Sequence, residues 1–258
     1  MAWLQADDVF SPDVLGQPVV GIAADLRHHD SGVHQHHMGQ LLFAQRGCIR
    51  ITLTNQLCML PPTRVAWIPP LAPHRAEMME TVDYRSIYLD TKQVRGLPES
   101  VQVLEVTPLL RAILERIALS RFDTDWQGGP AAHLLAVCLD EIHAARREPT
   151  LLPLPMDSRL ARMSLHELPP PLAIFATQVG ASERTIGRIF RRETGFGYQQ
   201  WRQQWRLIKA IELLARGERT TGVASVLGFT SDSAFIAFFR KMTGFSPRAY
   251  LTRHESSE

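Results

Sequence analysis

The 258-residue chain is poor in cysteine. Cys48, Cys58 and Cys138 are odd in number and show no CxxC spacing, which argues against a disulfide framework or a cysteine-based zinc site and fits a reducing cytoplasm. No apolar run approaches the ~18 residues that suggest a membrane helix. The first residues, Met1-Ala2-Trp3-Leu4-Gln5-Ala6-Asp7-Asp8, lack the basic-then-apolar order of an export signal. Neither export nor membrane contact is therefore expected. A catalytic constellation is missing too: outside the histidines, candidates such as Glu77 and Tyr84 have no compelling spacing, so the chain does not read as an enzyme.

What is present describes a globular protein with 45% apolar and 21% charged residues, long enough for two domains with separate cores. The net charge of +2 conceals an asymmetry. Residues 1–157 hold 13 Lys and Arg against 18 Asp and Glu, a net −5, whereas residues 158–258 hold 15 against 8, a net +7. A basic half is what phosphate contact requires, although a charge excess alone also fits an ordinary solvated surface.

That basic half contains one pattern written twice. The first copy runs from Val179-Gly180-Ala181-Ser182 to Glu193-Thr194-Gly195-Phe196, and the second from Leu227-Gly228-Phe229-Thr230-Ser231 to Met242-Thr243-Gly244-Phe245. In each, a helix ends at a glycine, a turn offers a hydroxyl (Ser182; Thr230 or Ser231) to cap the next helix, and Thr-Gly-Phe closes that second helix. This is a helix-turn-helix. Ile186, Ile189 and Phe190, like Phe235, Phe238 and Phe239, recur at helical spacing and are expected in the core. Between the copies, Gln199 to Arg216 forms an amphipathic helix with Trp201, Trp205, Ile208, Ile211 and Ala215 on its apolar face.

With these residues on the page, the segment resembles the DNA-binding domain of the AraC/XylS family of transcription regulators. The matching residues are Ala181-Ser182-Glu183-Arg184-Thr185, Phe190 to Gly195, Val226 to Phe229, Ser233-Ala234-Phe235 and Gly244 to Tyr250. The resemblance implies double-stranded DNA as partner, a small-molecule effector, a homodimer, and RNA polymerase as a further partner. A recognition helix meets base edges with its N-terminal half, which nominates Ser182, Arg184, Thr185, Gly187, Arg188 and Arg191 in the first copy. Arginine pairs with guanine O6 and N7 through two bonds, but Arg184 and Arg188 also fit plain phosphate contacts. The second copy offers Ser231, Asp232, Ser233, Ile236 and Ala237. Alanine cannot hydrogen-bond a base, so this copy is expected to read less sequence directly and to position the backbone through Arg240, Lys241 and Arg248.

Before the basic half, short β-rich runs at 19–24, 40–44, 49–53, 64–68 and 84–89 alternate with turn clusters, as in a sandwich or small barrel. Two helices follow. Leu109, Leu110, Ile113, Leu114 and Ile117 stripe residues 108–121, and Leu134, Leu135, Cys138, Leu139 and Ile142 stripe 130–146. Such stripes pack on their own domain or, as the family resemblance implies, on a second copy. Residues 148–155, with three prolines, read as an extended linker. Asp157 to His166 reads as the next helix, and Phe175 and Thr177 stand where more polar character is expected. The expected architecture is α+β: a cupin-like sensor barrel over 1–107, dimerisation helices and linker over 108–156, and a helical DNA-binding domain over 157–258.

Five histidines fall between His28 and His37. The spacing His34-x-His36-x3-Gln40, with Pro69-x-Leu71-x2-His74 further on, resembles the two motifs of the cupin barrel. Gln40 stands in place of the glutamate of metal-binding cupins, and Leu71 in place of a glycine. Residues 34, 36 and 40 share parity, so on one extended strand they line one lumen. Three imidazoles and an amide suit Zn, Ni, Cu or Fe. Lumen residues contacting an organic effector are an equal reading, and a metal-dependent cupin enzyme with an appended DNA-binding domain is the rival one.

Overall fold

The computed structural model describes residues 3–4, 10–147, 151–161, 163–164 and 167–252. Backbone contacts divide the chain into two compact units, one formed chiefly by 1–53 and 60–149 and the other by 54–59 and 150–250. Among the described residues no helix is long and apolar enough to cross a membrane.

The first half of the chain supplies strands β1 (Val19–Leu26), β2 (His29–Asp30), β3 (Gly39–Arg46), β4 (Ile49–Leu53), β5 (Gln56–Leu60), β6 (Arg64–Ile68), β7 (His74–Met78), β8 (Val82–Leu89) and β9 (Gln102–Glu105). Helices α1 (Pro108–Ala118) and α2 (Gly129–Ala144) follow. One antiparallel sheet has the order β1-β8-β3-β6-β9, and in a second sheet β4, β7 and β2 stand side by side.

Strand alternation gives the first sheet two different faces. Leu41, Phe43, Val65, Trp67, Ile87 and Leu89 form a core with Leu110, Ile113, Leu114 and Ile117 of α1. The opposite parity on β1, β3 and β8 carries Ile22, Ala24, Leu26, Gln40, Leu42, Tyr84 and Tyr88 into a cavity. Two glycines permit the helix side to close. A Cβ on Gly21 would stand 2.3 Å from the Ile117 carbonyl oxygen, and one on Gly39 would stand 2.1 Å from the Trp67 ring. α1 begins where Thr107 accepts from Leu110 N–H and Pro108 takes the first turn, where a missing N–H costs nothing.

The helical stripes are narrower than expected. Leu109 is 53% exposed, and on α2 only Cys138 and Ile142 are buried, with Leu134, Leu135 and Leu139 half-buried. The five expected strands are present, three of them longer than the apolar runs that announced them. β2, β5, β7 and β9 were not expected. Leu57, Cys58, Met59 and Leu60 are buried without alternation, and β7 reads His-Arg-Ala-Glu-Met, a weak strand former whose pleat buries His74, Ala76 and Met78.

In the second unit β5 pairs with β10 (Leu152–Pro153), so this part of the proline-rich segment is extended as expected, while 148–150 lie outside the described residues. The helix expected over 157–166 is replaced by one 3₁₀ turn, Ser158–Leu160, with residues 162, 165 and 166 outside the described set. Asp157 accepts from Arg159 N–H to start that turn, and Pro169, Pro170 and Pro171 bar helix before α3 (Leu172–Gln178). α4 (Glu183–Thr194), α5 (Tyr198–Ala215), α6 (Thr220–Val226), α7 (Asp232–Thr243) and α8 (Pro247–Thr252) complete the fold. Trp201, Trp205, Ile208 and Ile211 bury the apolar face of α5 between the two helix pairs. Phe175, unexpected in a polar setting, is a core residue: it is 3% exposed and stacks on Tyr198 at 5.3 Å.

Candidate functional site

The two repeated motifs fold with the same local bonds. Gly180 (φ +66°) and Gly228 (φ +68°) turn the chain after α3 and α6. Ser182 accepts from Thr185 N–H and Ser231 from Ala234 N–H, so Ser231 rather than Thr230 caps α7. At the far ends Thr194 and Thr243 donate to Phe190 and Phe239 carbonyls, and Gly195 and Gly244 take left-handed φ. Ile186, Ile189, Phe190, Phe235 and Phe239 are buried as expected, whereas Phe238 is half-buried against Phe229, with ring centroids 5.0 Å apart.

These anchors fix which side chains face outward. Ser182, Arg184, Arg188 and Arg191 are exposed on α4 and Thr185 and Gly187 half so, and Ser231, Ser233, Ile236, Ala237, Arg240 and Lys241 are exposed at α7 with Asp232 half so. Arg248 is exposed on α8. Arg184, Thr185, Gly187, Arg188 and Arg191 line a broad concave surface that continues onto Gln199 and Gln200 of α5. Sequence reasoning missed those two glutamines; the signal was a polar pair directly after the Gly197 helix start. The hydroxyls of Ser182 and Thr185 lie 2.9 Å apart, which leaves the arginines as the long polar reach of this surface.

In the first unit the structure gathers all four residues of the histidine site. Ligand atoms of His34, His36 and His74 lie within 4.8 Å of one another. Parity on a strand is not the cause, because β3 begins only at Gly39. Instead His34 and His74 exchange both backbone hydrogen bonds at 2.9 Å, which sets their rings 4.3 Å apart, and the loop into β3 brings His36 to 5.1 Å from His74.

Each ring is oriented by its Nδ1. His34 Nδ1 is 3.1 Å from Gly32 O, His36 Nδ1 is 2.5 Å from Met38 O, and His74 Nδ1 is 2.9 Å from Ala72 O. A carbonyl only accepts, so Nδ1 carries the proton and each Nε2 presents a lone pair. His74 Nε2 is buried with no hydrogen-bond partner. His36 Nε2 stands 3.3 Å from Gln40 Oε1. On its other side Gln40 Nε2 lies 2.8 Å from Ser86 Oγ, 3.2 Å from Tyr88 OH and 3.4 Å from Tyr84 OH, so the amide sits between His36 and three hydroxyls. Hydroxyls donate as well as accept, so either orientation of the amide satisfies them, and one of the two orientations donates to the His36 Nε2 lone pair.

Burial also holds His36 below the ordinary histidine value and His74 down at about 4, so these two stay neutral, the ligating form, at lower pH than free histidine. Nitrogens bound at ~2.0–2.1 Å to one ion lie at most ~4.2 Å apart, so the three imidazoles would need only a small ring movement to share one ion. Ser86, Tyr84 and Tyr88 were not singled out as one support, although their shared parity on β8 is the sign of it. The centre lies at one side of a cavity of about 410 Å³.

Comparison with known proteins covers both units. Residues 17–151 match the family model for the AraC-like ligand binding domain, and residues 175–253 match a helix-turn-helix domain. The HTH-type transcriptional regulator NimR of Escherichia coli (strain K12) is 31% identical over 228 residues, 86% of this chain and 83% of the relative. The HTH-type transcriptional activator RhaR of Pectobacterium atrosepticum is 25% identical over 236 residues, 90% of this chain and 74% of that one. Among solved structures, ToxT from Vibrio cholerae aligns at a TM-score of 0.38 with 10% identity, covering 92% of this chain and 98% of that chain.

Proposed function

The chain belongs to the AraC family of DNA-binding transcription regulators and carries its ligand-binding domain, and from that premise we propose that a divalent transition metal held by His34, His36, His74 and Gln40 controls its binding to DNA. The observation that supports this reading is the convergence of His34, His36 and His74, whose ligand atoms lie within 4.8 Å of one another, with His74 Nε2 buried and without a hydrogen-bond partner. Zn, Ni, Cu and Fe all suit a nitrogen-rich set, and the backbone carbonyls behind each Nδ1 are the outer support such ligands have elsewhere. The metal is a regulatory ligand in this reading, and no turnover is assigned to it.

DNA is read chiefly by Arg184 and Arg188 of α4, while α7 places Ala237 and Ile236 against the groove and Arg240 and Lys241 toward phosphate. Metal acts by binding one domain or dimer arrangement more tightly than another. The dimer forms through α2, whose Leu135 and Leu139 are half-buried and whose Val137 is 42% exposed. Leu135→Glu tests this by sedimentation, and a variant that stays folded and dimeric places the interface elsewhere. Ile142→Glu is unsuitable, because Ile142 is 3% exposed inside the core.

The metal is tested on untagged protein by elemental analysis of wild type, His34→Ala and His74→Ala, followed by selection of bound sites from random DNA with metal-loaded and metal-stripped protein. Stoichiometric metal that both substitutions remove, with DNA binding that differs between the two states, is expected. A metal-free wild type, or metal that survives both substitutions, defeats the reading.

A further inference from the structure

The cavity beside the histidines has a composition that specifies what else it takes. Its walls are Ile22, Leu26, Leu42 and Met78, all buried, with Phe10 across from Tyr88 at a ring separation of 5.8 Å. Among the described residues no Lys or Arg lines it. Asp30, its one lining carboxylate among the described residues, is tied to Arg75 through two bonds of 2.8 and 2.6 Å, so that charge is already balanced. Asp13, the other acid close by, is occupied by the His37 and Met38 amides and the His37 ring.

A divalent ion on three imidazoles and one amide keeps its full double charge. Here that charge would face an apolar wall with no unbalanced anion among the described residues to meet it, which is costly to bury. Tyr84 and Tyr88 bring their O–H groups beside the centre, 3.4 and 3.2 Å from Gln40 Nε2. We propose that the open side of the metal is completed by the carboxylate of a small apolar monocarboxylic acid, whose hydrocarbon body lies on Ile22, Leu26, Leu42 and Met78. This rests on the metal reading of the preceding section. A volume of about 410 Å³ is in the range of small-molecule pockets. The carboxylate meets half of the ion's charge, its second oxygen accepts from a tyrosine hydroxyl, and the chain gains by leaving water.

The test uses the full-length protein loaded with cobalt(II), whose visible absorption reports the ligands around it. Hexanoate, acetate, hexanamide and inorganic phosphate are titrated in turn. Hexanoate is expected to change the spectrum and to bind about tenfold or more tightly than acetate, with hexanamide and phosphate ineffective. Leu42→Asn should keep cobalt and lose the hexanoate preference; should that variant not fold, Met78→Gln serves the same purpose. Cobalt that binds but is indifferent to hexanoate, or responds equally to hexanamide or phosphate, overturns the proposal and leaves the metal reading standing. Failure to bind cobalt removes the metal reading and the proposal with it.

Discussion

The two helix-turn-helix motifs share a frame and a basic far end but differ over the part of the helix that meets base edges. Ile186 and Phe190 correspond to Phe235 and Phe239, all fully buried, and the serine caps and threonine-glycine closures repeat bond for bond. Outward, Arg184 corresponds to Ser233, Gly187 to Ile236 and Arg188 to Ala237. The second turn is one residue longer, and its Phe229 packs on Phe238, lifting that ring from the full burial of Ile189. A fold can thus hold two helices alike while giving only one of them the long donors that discriminate bases, because the buried and exposed stripes of a helix are set by different residues.

The strongest way to break this equivalence is to empty the two frames. Phe190→Ala and Phe239→Ala each remove a fully buried ring, and each is expected to cost about 3–5 kcal/mol. Denaturant melts should show comparable losses. A loss in one copy several times that in the other would mean that the shared bonds do not reflect shared support.

Next comes the outward face. Arg188→Ala is expected to weaken specific binding by about 1–3 kcal/mol and to relax preference at one base pair. The matching change at the second copy, Ala237→Gly, should leave sequence preference almost unchanged. Binding-site selection with both variants checks this, and equal losses on specific and random DNA for Arg188→Ala would reduce Arg188 to a phosphate contact. Smaller again are the caps: Ser182→Ala and Ser231→Ala should each cost about 1 kcal/mol by thermal melting.

Much of the helical half was legible because its signals are local: a glycine, a hydroxyl and a 3.6-residue stripe each act within a few residues of themselves. One of the failures there had a nonlocal cause. Phe175 looked out of place because its stacking partner, Tyr198, belongs to another helix, and where 157–166 was expected to be helical the described residues make one 3₁₀ turn, Ser158–Leu160. The histidine site was legible in its membership but not in its construction. His34, His36, Gln40 and His74 do meet, yet a strand parity that does not exist was the stated reason, and the actual one is the reciprocal His34–His74 backbone pairing, which no spacing reveals. The cradle of Ser86, Tyr84 and Tyr88 was out of reach for the same reason, since hydroxyls gathered around one amide are visible only when the amide is in place.

The finest test of the comparison lies at its last matched pair, Arg192 and Lys241. Both are exposed near the ends of their recognition helices. Arg192 is held 2.5 Å from Glu193 and 3.5 Å from Asp157, so much of its charge is met within the protein, and these partners raise its pKa. Met242 stands where Glu193 does in the first copy and offers Lys241 no such balance. A cation already paired releases fewer counterions when DNA arrives, whereas an unbalanced one releases close to its full share. Lys241→Ala should therefore lower the slope of log affinity against log salt by about 1, equally for all sequences, and Arg192→Ala should lower it by less. Titrations on specific and random duplexes at several salt concentrations measure both slopes. A larger change for Arg192→Ala would show that the Glu193 pair opens on DNA and that the two copies grip the backbone alike.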